Sequence, residues 1–386
     1  MDNKYIYLDN AATTIPYKEV LDSYEKVSTS YFANPSSIHK IGQESARLVE
    51  LSRRQMLDLL NLTNTHEVIF TSGATESNNL AIIGYCLAHK NRGNHIITTE
   101  YEHPSVLEAF NFLKKEFGFD VTHLKVDKEG RVNVNNLLSL ITDDTILVSV
   151  MAVNNEIGSV NDIAKIAKEL KKYPKVAFHC DAVQAIGKID MNYKEVDLLT
   201  FTSHKIHGPK GIGCLIKRKS LEITALNNGG GQEAGYRSGT LSVDLIVCFA
   251  KALRLTMENM KKSFKKVSEL RDSVLNYVAN HKDLYEINST LDNPYIFNFS
   301  LLNKKASVVV EALSNENIMI SSISACHSKG EKFSYVVKAL GKTEQVYKNT
   351  LRVSFDEANT VDEINIFVDK LNKIVSEVKQ WSITHI

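Results

Sequence analysis

Short runs of apolar, often β-branched residues alternate with amphipathic stretches from about residue 67 to residue 218. The apolar run at 95–99, for example, is followed by a helix-patterned stretch at 105–117. Such alternation predicts βα units around a mostly parallel sheet, because each helix covers one face of the strands that it joins. The strongly apolar segment 145–153 is a further strand candidate, and 163–173 has the periodicity of an amphipathic helix.

The last third of the chain has a different pattern. Residues 242–281 contain no glycine or proline and keep helical periodicity, which predicts a long helix joining two lobes, with a boundary near residue 260. Strand candidates at 295–300 and 350–355 and a closing helix at about 361–378 follow. This part is therefore predicted to form a smaller α+β domain.

Composition excludes several classes of function. The chain has 386 residues, 43% of them apolar and 24% charged, so a large core in more than one lobe is expected. A net charge of +1 provides no field for nucleic acid, and the lysines at 261–266 alternate with other residues as on a solvated helix face. No apolar run approaches the ~20 residues that span a bilayer, and residues 1–5 lack the apolar region typical of a signal peptide. We therefore expect no direct contact with nucleic acid or membrane, and a cytoplasmic location.

The five cysteines are widely spaced and form no CxxC pair, which favours reduced thiols over a disulfide framework. Cys326 differs from the others because it lies in the small, polar stretch 321–330, which is typical of an exposed loop. The remaining four stand among apolar residues and are predicted to be buried as small hydrophobic side chains: Cys86, Cys180, Cys214 and Cys248.

Lys205 follows the apolar stretch 197–202 and precedes a Gly-Pro turn. A lysine forms an imine only when its amine is neutral, and burial or neighbouring positive charge promotes that state. Taken alone, a lysine is more often a solvated surface residue. Asp181 and Thr75, however, also follow apolar runs, and in such folds ligands bind beyond the carboxyl ends of the strands.

Asp181 ends an apolar run, where its carboxylate could meet the ring nitrogen of pyridoxal phosphate and keep that nitrogen protonated. Gln184, three residues later, could donate to the ring hydroxyl. Together with Lys205, these side chains predict a pyridoxal phosphate site.

The segment 70–79 has the pattern of a strand, a glycine turn and a helix start. Backbone N–H groups at such a helix start, here at Ala74 and Thr75, bind phosphate, and the Thr75 hydroxyl would add a donor. The alternative interpretation is an ordinary helix cap formed by Ser72 and Glu76.

Together these segments resemble the cysteine desulfurase branch of the class V aminotransferases, pyridoxal phosphate enzymes that take sulfur from L-cysteine and leave alanine. The resemblance covers nearly the whole chain and implies a type I pyridoxal-phosphate-dependent transferase fold of class α/β. It also implies a large domain at 16–258 and a small α+β domain formed by 1–15 and 259–386. The motifs occur in family order: YLDNAATT at 7–14, NPSSIH at 34–39, FTSGATESNN at 70–79, EHPSV at 102–106, NNEIG at 154–158, DAVQ at 181–184, SHK at 203–205, GGGQE at 229–233, RSGT at 237–240, SAC at 324–326 and LRVSF at 351–355.

The resemblance also implies roles for individual residues. Lys205 would carry the Schiff base and move protons, and His103 would stack on the pyridine ring and assist acid–base steps. Arg352 would pair with the substrate carboxylate through two parallel donors. Contacts with cofactor or substrate are implied for Asn34 and Asn154, contacts with the cofactor phosphate for Ser203 and His204, and a contact with the neighbouring subunit's cofactor for Thr240. The last contact implies a homodimer with composite sites.

Cys326 matches the family's catalytic cysteine. Its thiolate would take the sulfur of L-cysteine as a persulfide, helped by positive charge from His327 and Lys329. The sulfur would then pass to an acceptor protein, either an iron–sulfur scaffold or a tRNA-thiolating enzyme, and transient iron–sulfur ligation by Cys326 is compatible with that step. The chain departs from many relatives at Ile323 and His327, which leaves the mobility of the loop and the choice of acceptor open.

Three other interpretations remain. The same cofactor site with an incidental Cys326 would give an aminotransferase, a selenocysteine lyase or a β-eliminating lyase. The second interpretation is a non-catalytic scaffold of the same fold. Such a protein is expected to lose the Schiff-base lysine or the pyridine-pairing aspartate first, whereas both Lys205 and Asp181 are retained. A metal site at 179–181 or 326–327 is a third, but neither segment supplies three or four ligands, so no metal is expected.

Overall fold

Residues 5–322 and 333–377 are described in the computed structural model of the chain. Their β-strands form one large sheet and two small ones. In chain order the strands are β1 (Ile6–Tyr7), β2 (His66–Thr71), β3 (His95–Thr99), β4 (Asp120–Leu124), β5 (Thr145–Ser149), β6 (Ala177–Asp181), β7 (Leu198–Thr202), β8 (Gly213–Arg218), β9 (Tyr285–Ile287), β10 (Ile296–Leu301), β11 (Ile318–Met319), β12 (Ser321–Ser322) and β13 (Thr350–Ser354).

The large sheet has seven strands in the order β2-β8-β7-β6-β5-β3-β4. The pairs from β7 across to β4 are all parallel, whereas β8 is antiparallel to both β2 and β7. The predicted mostly parallel sheet is therefore confirmed. The strand predicted at 145–153 is shorter than expected: it ends at Ser149, although the backbone N–H groups of Val150 and Ala152 still donate to the carbonyls of His179 and Asp181 in β6.

Helices cover the sheet and connect it to the C-terminal part. The predicted long helix is present as α8, and the helix predicted at 163–173 ends at Leu170. In chain order they are α1 (Lys18–Ser30), α2 (Lys40–Leu59), α3 (Ala74–Asn79), α4 (Tyr85–His89), α5 (Pro104–Phe117), α6 (Val134–Ser139), α7 (Ile163–Leu170), α8 (Val243–Ala279), α9 (Ala306–Asn315), α10 (Tyr335–Ala339), α11 (Glu344–Lys348) and α12 (Val361–Glu377), with a π-helical turn at Leu80–Gly84 between α3 and α4.

The apolar core is divided in the same way as the sheets. Two clusters cover the two faces of the large sheet, and a third lies between the sheet β12-β13-β10-β9 and helices α8, α9 and α12. The N-terminal segment joins this third cluster through Leu8 and Ala11, while β1 pairs with β11. The division into domains at 16–258 and at 1–15 with 259–386 stays a prediction, which these separate cores support.

One part of the C-terminal region packs instead against the loops that follow β3 and β5. Val336 and Val337 of α10 form a small apolar cluster with Tyr101, Met151 and Ile157.

No helix in the described ranges is long and apolar enough to cross a membrane.

Candidate active site

A cavity of about 670 Å³ lies beyond the carboxyl ends of strands β6 and β7, where a parallel sheet is expected to bind ligands. Its wall combines the N-terminal segment, the turn after β2, the loops after β3, β5, β6 and β7, and one side chain from β13. Most of the residues that the sequence predicted are on this wall. The lining includes Ala11, Ala12, Gly73, Ala74, Thr75, Glu76, His103, Asn155, Glu156, Asp181, Gln184, Thr202, His204, Lys205, Lys210, Tyr335 and Arg352.

Lys205 lies in the single turn of 3₁₀-helix that follows β7. Its amine donates to the backbone carbonyls of Ala11, at 2.5 Å, and Ala12, at 2.8 Å. Burial, together with the positive charges of Arg352 and Lys188, lowers the pKa of the Lys205 amine to about 7. The amine is therefore neutral in a large fraction of molecules near neutral pH, which is the state that attacks a carbonyl.

Asp181 ends β6 with its carboxylate on the cavity wall. One carboxylate oxygen accepts from the Asn78 amide at 2.8 Å, and the other accepts from the backbone N–H of Val183 at 3.0 Å. Asn78 also donates to the Ser105 hydroxyl at 2.9 Å, which lies 2.8 Å from Nδ1 of His103. A continuous set of hydrogen bonds thus fixes Asp181 and His103 relative to each other.

The turn after β2 has features of both interpretations of the sequence. The Glu76 carboxylate accepts from the backbone N–H of Ser72 at 2.7 Å, so a cap-like contact is present. Ala74 and Thr75 also lie on the cavity wall at the start of α3, where backbone N–H groups have no partner within the helix. Strand β8 lies against this turn: a Cβ atom on Gly213 would be only 2.7 Å from the backbone of Gly73.

Arg352 reaches the cavity from β13 and is buried. Its guanidinium donates to the Asp9 carboxylate at 2.8 Å and to the backbone carbonyl of Asn155 at 3.0 Å. The third nitrogen, Nε, is buried and has no hydrogen-bond partner in the described part of the chain. A planar guanidinium on the cavity wall is the kind of group that pairs with a carboxylate.

His204 and Thr202 border the same wall near the helix start. Burial, followed by the charges of Lys205 and Lys210, lowers the pKa of His204 to about 4, so its imidazole is neutral at physiological pH. Ser203 was predicted to contact the phosphate, but the structure places it elsewhere. Its hydroxyl points towards Gly208, where a side chain would collide with it, and Thr202 takes its place on the wall.

Asn154 was predicted to contact cofactor or substrate, and that role stays a prediction. Its amide oxygen accepts from the backbone N–H groups of Glu156, at 2.8 Å, and Ile157, at 3.1 Å, and its amide nitrogen donates to the carbonyl of Tyr101. Asn154 therefore builds the loop rather than facing the cavity. Asn155 lines the cavity instead, and its amide oxygen is buried without a hydrogen-bond partner among the described residues.

Asn34 and Thr240 are not brought to this cavity within one chain. Both line a separate surface cavity of about 270 Å³ between the end of α1 and the start of α8. The Asn34 amide oxygen there accepts from the backbone N–H of Ser36. Their predicted contacts with cofactor or substrate therefore stay predictions, and for Thr240 the predicted contact is with the cofactor of a neighbouring subunit.

Cys326 lies outside the described residues. The four other cysteines are buried, as predicted. Burial raises the pKa of the Cys248 thiol to about 12 and raises those of the other three further: Cys86, Cys180 and Cys214. None of these four thiols is suited to act as a nucleophile.

Sequence reasoning missed two carboxylates beside the cavity. Burial raises the pKa of Glu156 to about 7 and that of the fully buried Glu102 to about 8. Glu156 accepts from the Ser334 hydroxyl at 2.5 Å, and Glu102 accepts from the hydroxyl of Thr99. Their positions inside the motifs NNEIG and EHPSV were the available signals.

Comparisons with known proteins agree with this geometry. The model of the family Aminotransferase class-V matches residues 6–367. A NifS/IcsS protein homolog of Lactobacillus delbrueckii is 40% identical, covering 96% of this chain and 97% of that protein. The cysteine desulfurase IscS of Clostridium botulinum is 39% identical, covering 98% of this chain and 96% of that protein.

Solved structures show the same fold. A NifS-like protein superposes with a TM-score of 0.90 at 33% identity, covering 97% of this chain and all (100%) of that chain. The structure of SspA in complex with cysteine superposes with a TM-score of 0.79 at 31% identity, covering 92% of this chain and 100% of that one. With the fold, the cavity and these full-length similarities in agreement, the chain belongs to the class V aminotransferase family.

Proposed function

We propose that this protein is a cysteine desulfurase, which removes sulfur from L-cysteine and leaves L-alanine. The observation that carries the proposal is the convergence of Lys205, Asp181 and Arg352 on one cavity. This convergence occurs in a chain 39% identical, over almost its full length, to a protein named cysteine desulfurase.

The cavity fits pyridoxal phosphate as the cofactor. Asp181 would pair with the pyridine nitrogen, Gln184 with the ring hydroxyl, and His103 would lie against the ring. Ala74, Thr75, Thr202 and His204 would surround the phosphate, and Thr240 of a second subunit would complete that site in a homodimer. When bound, the cofactor provides an electron sink that stabilises negative charge at the α-carbon of an attached amino acid.

The chain's own residues supply binding and proton transfer. Arg352 would bind the substrate carboxylate through its guanidinium on the cavity wall. Asn155 lines the same cavity, where its side-chain amide nitrogen would be the group that donates to a carboxylate. Lys205, once released from the cofactor, would accept the proton from the substrate α-carbon, a role that its lowered pKa favours.

We assign the sulfur-accepting thiol to Cys326. The four described cysteines are buried and have raised pKa values, which leaves Cys326 as the candidate nucleophile. Its thiolate would attack the γ-sulfur of the substrate, so that the carbon–sulfur bond breaks and its electron pair stays on the substrate carbon. That carbon takes up a proton on the way to alanine, and the sulfur remains on Cys326 as a persulfide.

The persulfide sulfur would pass to an acceptor protein for iron–sulfur cluster assembly or tRNA thiolation. Which of these two pathways it serves, and the cytoplasmic location, stay predictions.

The test is the release of alanine from L-cysteine by the purified protein, compared with the Cys326→Ser variant. We expect the wild-type protein to release alanine and to carry labelled sulfur on Cys326, and the variant to lose both while keeping the absorbance of the Schiff base. Undiminished alanine release by the variant would rule out the persulfide route and favour another class V reaction.

A further inference from the structure

Lys188 is a buried cation behind the cavity and is not among the residues that line it. It lies in the turn that follows β6, and the residue is 8% exposed. It takes part in none of the ion pairs of the described chain. The carboxylate of Asp356, which affects it electrostatically, is instead bonded to His207 at 3.0 Å. Burying an ammonium group without an ion-pair partner is costly, so its retention calls for a role.

The hydrogen bonds of Lys188 lead directly to Lys205. The Lys188 ammonium donates to the side-chain oxygen of Gln184 at 3.1 Å. The amide nitrogen of Gln184 then donates to the carbonyl of Ala11 at 2.9 Å, and the same carbonyl accepts from Lys205 at 2.5 Å. Two lysines are thus joined through one amide and one carbonyl.

This chain fixes the orientation of the Gln184 amide. An ammonium group can only donate, so it must face the amide oxygen, and the amide nitrogen is directed away from Lys188. That nitrogen is the donor that a ring hydroxyl would need at the cavity wall. Without Lys188, the amide could turn over and present its oxygen there instead.

Lys188 also acts on Lys205 through its charge. Four charged groups affect the Lys205 amine from the elements around it, namely Arg352 and Lys188, which are positive, and Asp9 and Asp181, which are negative. A like charge in a buried setting disfavours a second ammonium. Of the two cations, Arg352 lines the cavity and pairs with Asp9, whereas Lys188 does not line that cavity and forms no ion pair among the described residues.

We propose that Lys188 is a positioning residue of the Schiff-base site, which orients the Gln184 amide and favours the neutral amine of Lys205. This inference rests on the proposed function, because it assigns Lys205 the same role. Lys188 itself touches neither cofactor nor substrate.

The test measures Schiff-base formation between cofactor-depleted protein and pyridoxal phosphate from pH 6 to pH 10, by absorbance and by borohydride trapping at Lys205. For Lys188→Met we expect the midpoint to move to higher pH by about one unit, with formation at pH 7 slowed roughly fivefold. The Lys188→Gln variant keeps a donor for Gln184 without the charge, and should show the same shift. Lys175→Met, which removes an exposed lysine, should leave the midpoint unchanged.

A Lys188→Met variant with the wild-type midpoint would refute the inference and leave the proposed function intact. If Lys188→Met does not fold, the midpoint of Lys188→Gln decides in the same way. A wild-type protein that forms no adduct with pyridoxal phosphate at any pH would refute the proposed function, and the inference with it.

Discussion

Asp9 holds Arg352 at the cavity wall through a hydrogen bond of 2.8 Å between carboxylate and guanidinium. The two residues are 343 positions apart in the chain, and strand β13 meets the N-terminal segment at the Asp9–Ser354 bridge. A second contact, from the guanidinium to the carbonyl of Asn155, holds the other side of the group. The orientation of Arg352 therefore depends on a segment that precedes the large sheet in sequence.

The first prediction concerns this contact. Asp9→Ala removes the acceptor that orients Arg352, so we expect the KM for L-cysteine to rise about tenfold with a smaller change in kcat, as for one charge-assisted hydrogen bond. Asp9→Asn keeps an oxygen acceptor in the same place and should retain most of the wild-type KM. Steady-state alanine release measures both variants. Equal KM values for Asp9→Ala and the wild type would show that Asp9 does not position Arg352.

The second prediction concerns Asn78, which donates to Asp181 at 2.8 Å inside the protein. Asn78→Asp would place a second carboxylate against the first, and like charges at that distance favour protonation of one of them. Asp181 would then be a weaker partner for a protonated pyridine nitrogen. We expect the affinity for pyridoxal phosphate to fall at least tenfold, measured by titration of cofactor-depleted protein.

The control for Asn78→Asp is Asn136→Asp, the same substitution at an exposed position of α6. It adds the same charge far from Asp181 in sequence and structure, and should leave the affinity for pyridoxal phosphate unchanged. If both variants bind the cofactor as tightly as the wild type, the contact between Asn78 and Asp181 has no part in binding.

The sequence could predict the site residues that follow directly from strand ends and motifs. Lys205, Asp181 and Thr75 each come after a strand of one sheet, and the parallel arrangement brings those strand ends to one edge. The long helix α8 was equally predictable, because 37 residues without glycine or proline leave few alternatives.

At two of the predicted positions it is the neighbouring residue that lines the cavity. In the pairs Asn154–Asn155 and Thr202–Ser203, neighbouring residues have similar chemistry but face different directions, and only the backbone path decides which one meets the cavity. The contacts of Asn78 and Lys188 could not be predicted, since they join residues whose proximity arises only in the folded chain.

The third prediction concerns the buried carboxyl of Glu102, whose pKa is raised by burial to about 8. Between the ordinary pKa of a glutamate and pH 8, Glu102 keeps its proton in the folded protein and loses it in the unfolded chain. The free energy of unfolding of the wild-type protein therefore falls as the pH rises through this range. Glu102→Gln removes that proton exchange. We expect the stability of the variant relative to the wild type to increase from pH 5 to pH 8, measured by urea denaturation. A difference that stays constant over this range would show that Glu102 is ionised in the folded protein.

The fourth prediction separates the two neighbouring asparagines. The Asn154 side chain makes three buried hydrogen bonds with backbone groups, two in its own loop and one at Tyr101, so Asn154→Ala should lower the free energy of unfolding by about 1 to 3 kcal/mol. Asn155 has a buried amide oxygen without a partner in the described chain, so Asn155→Ala should leave stability almost unchanged. It should instead weaken the binding of pyridoxal phosphate or raise the KM for L-cysteine. Urea denaturation and cofactor titration of both variants distinguish these effects, and the reverse pattern would return the binding role to Asn154.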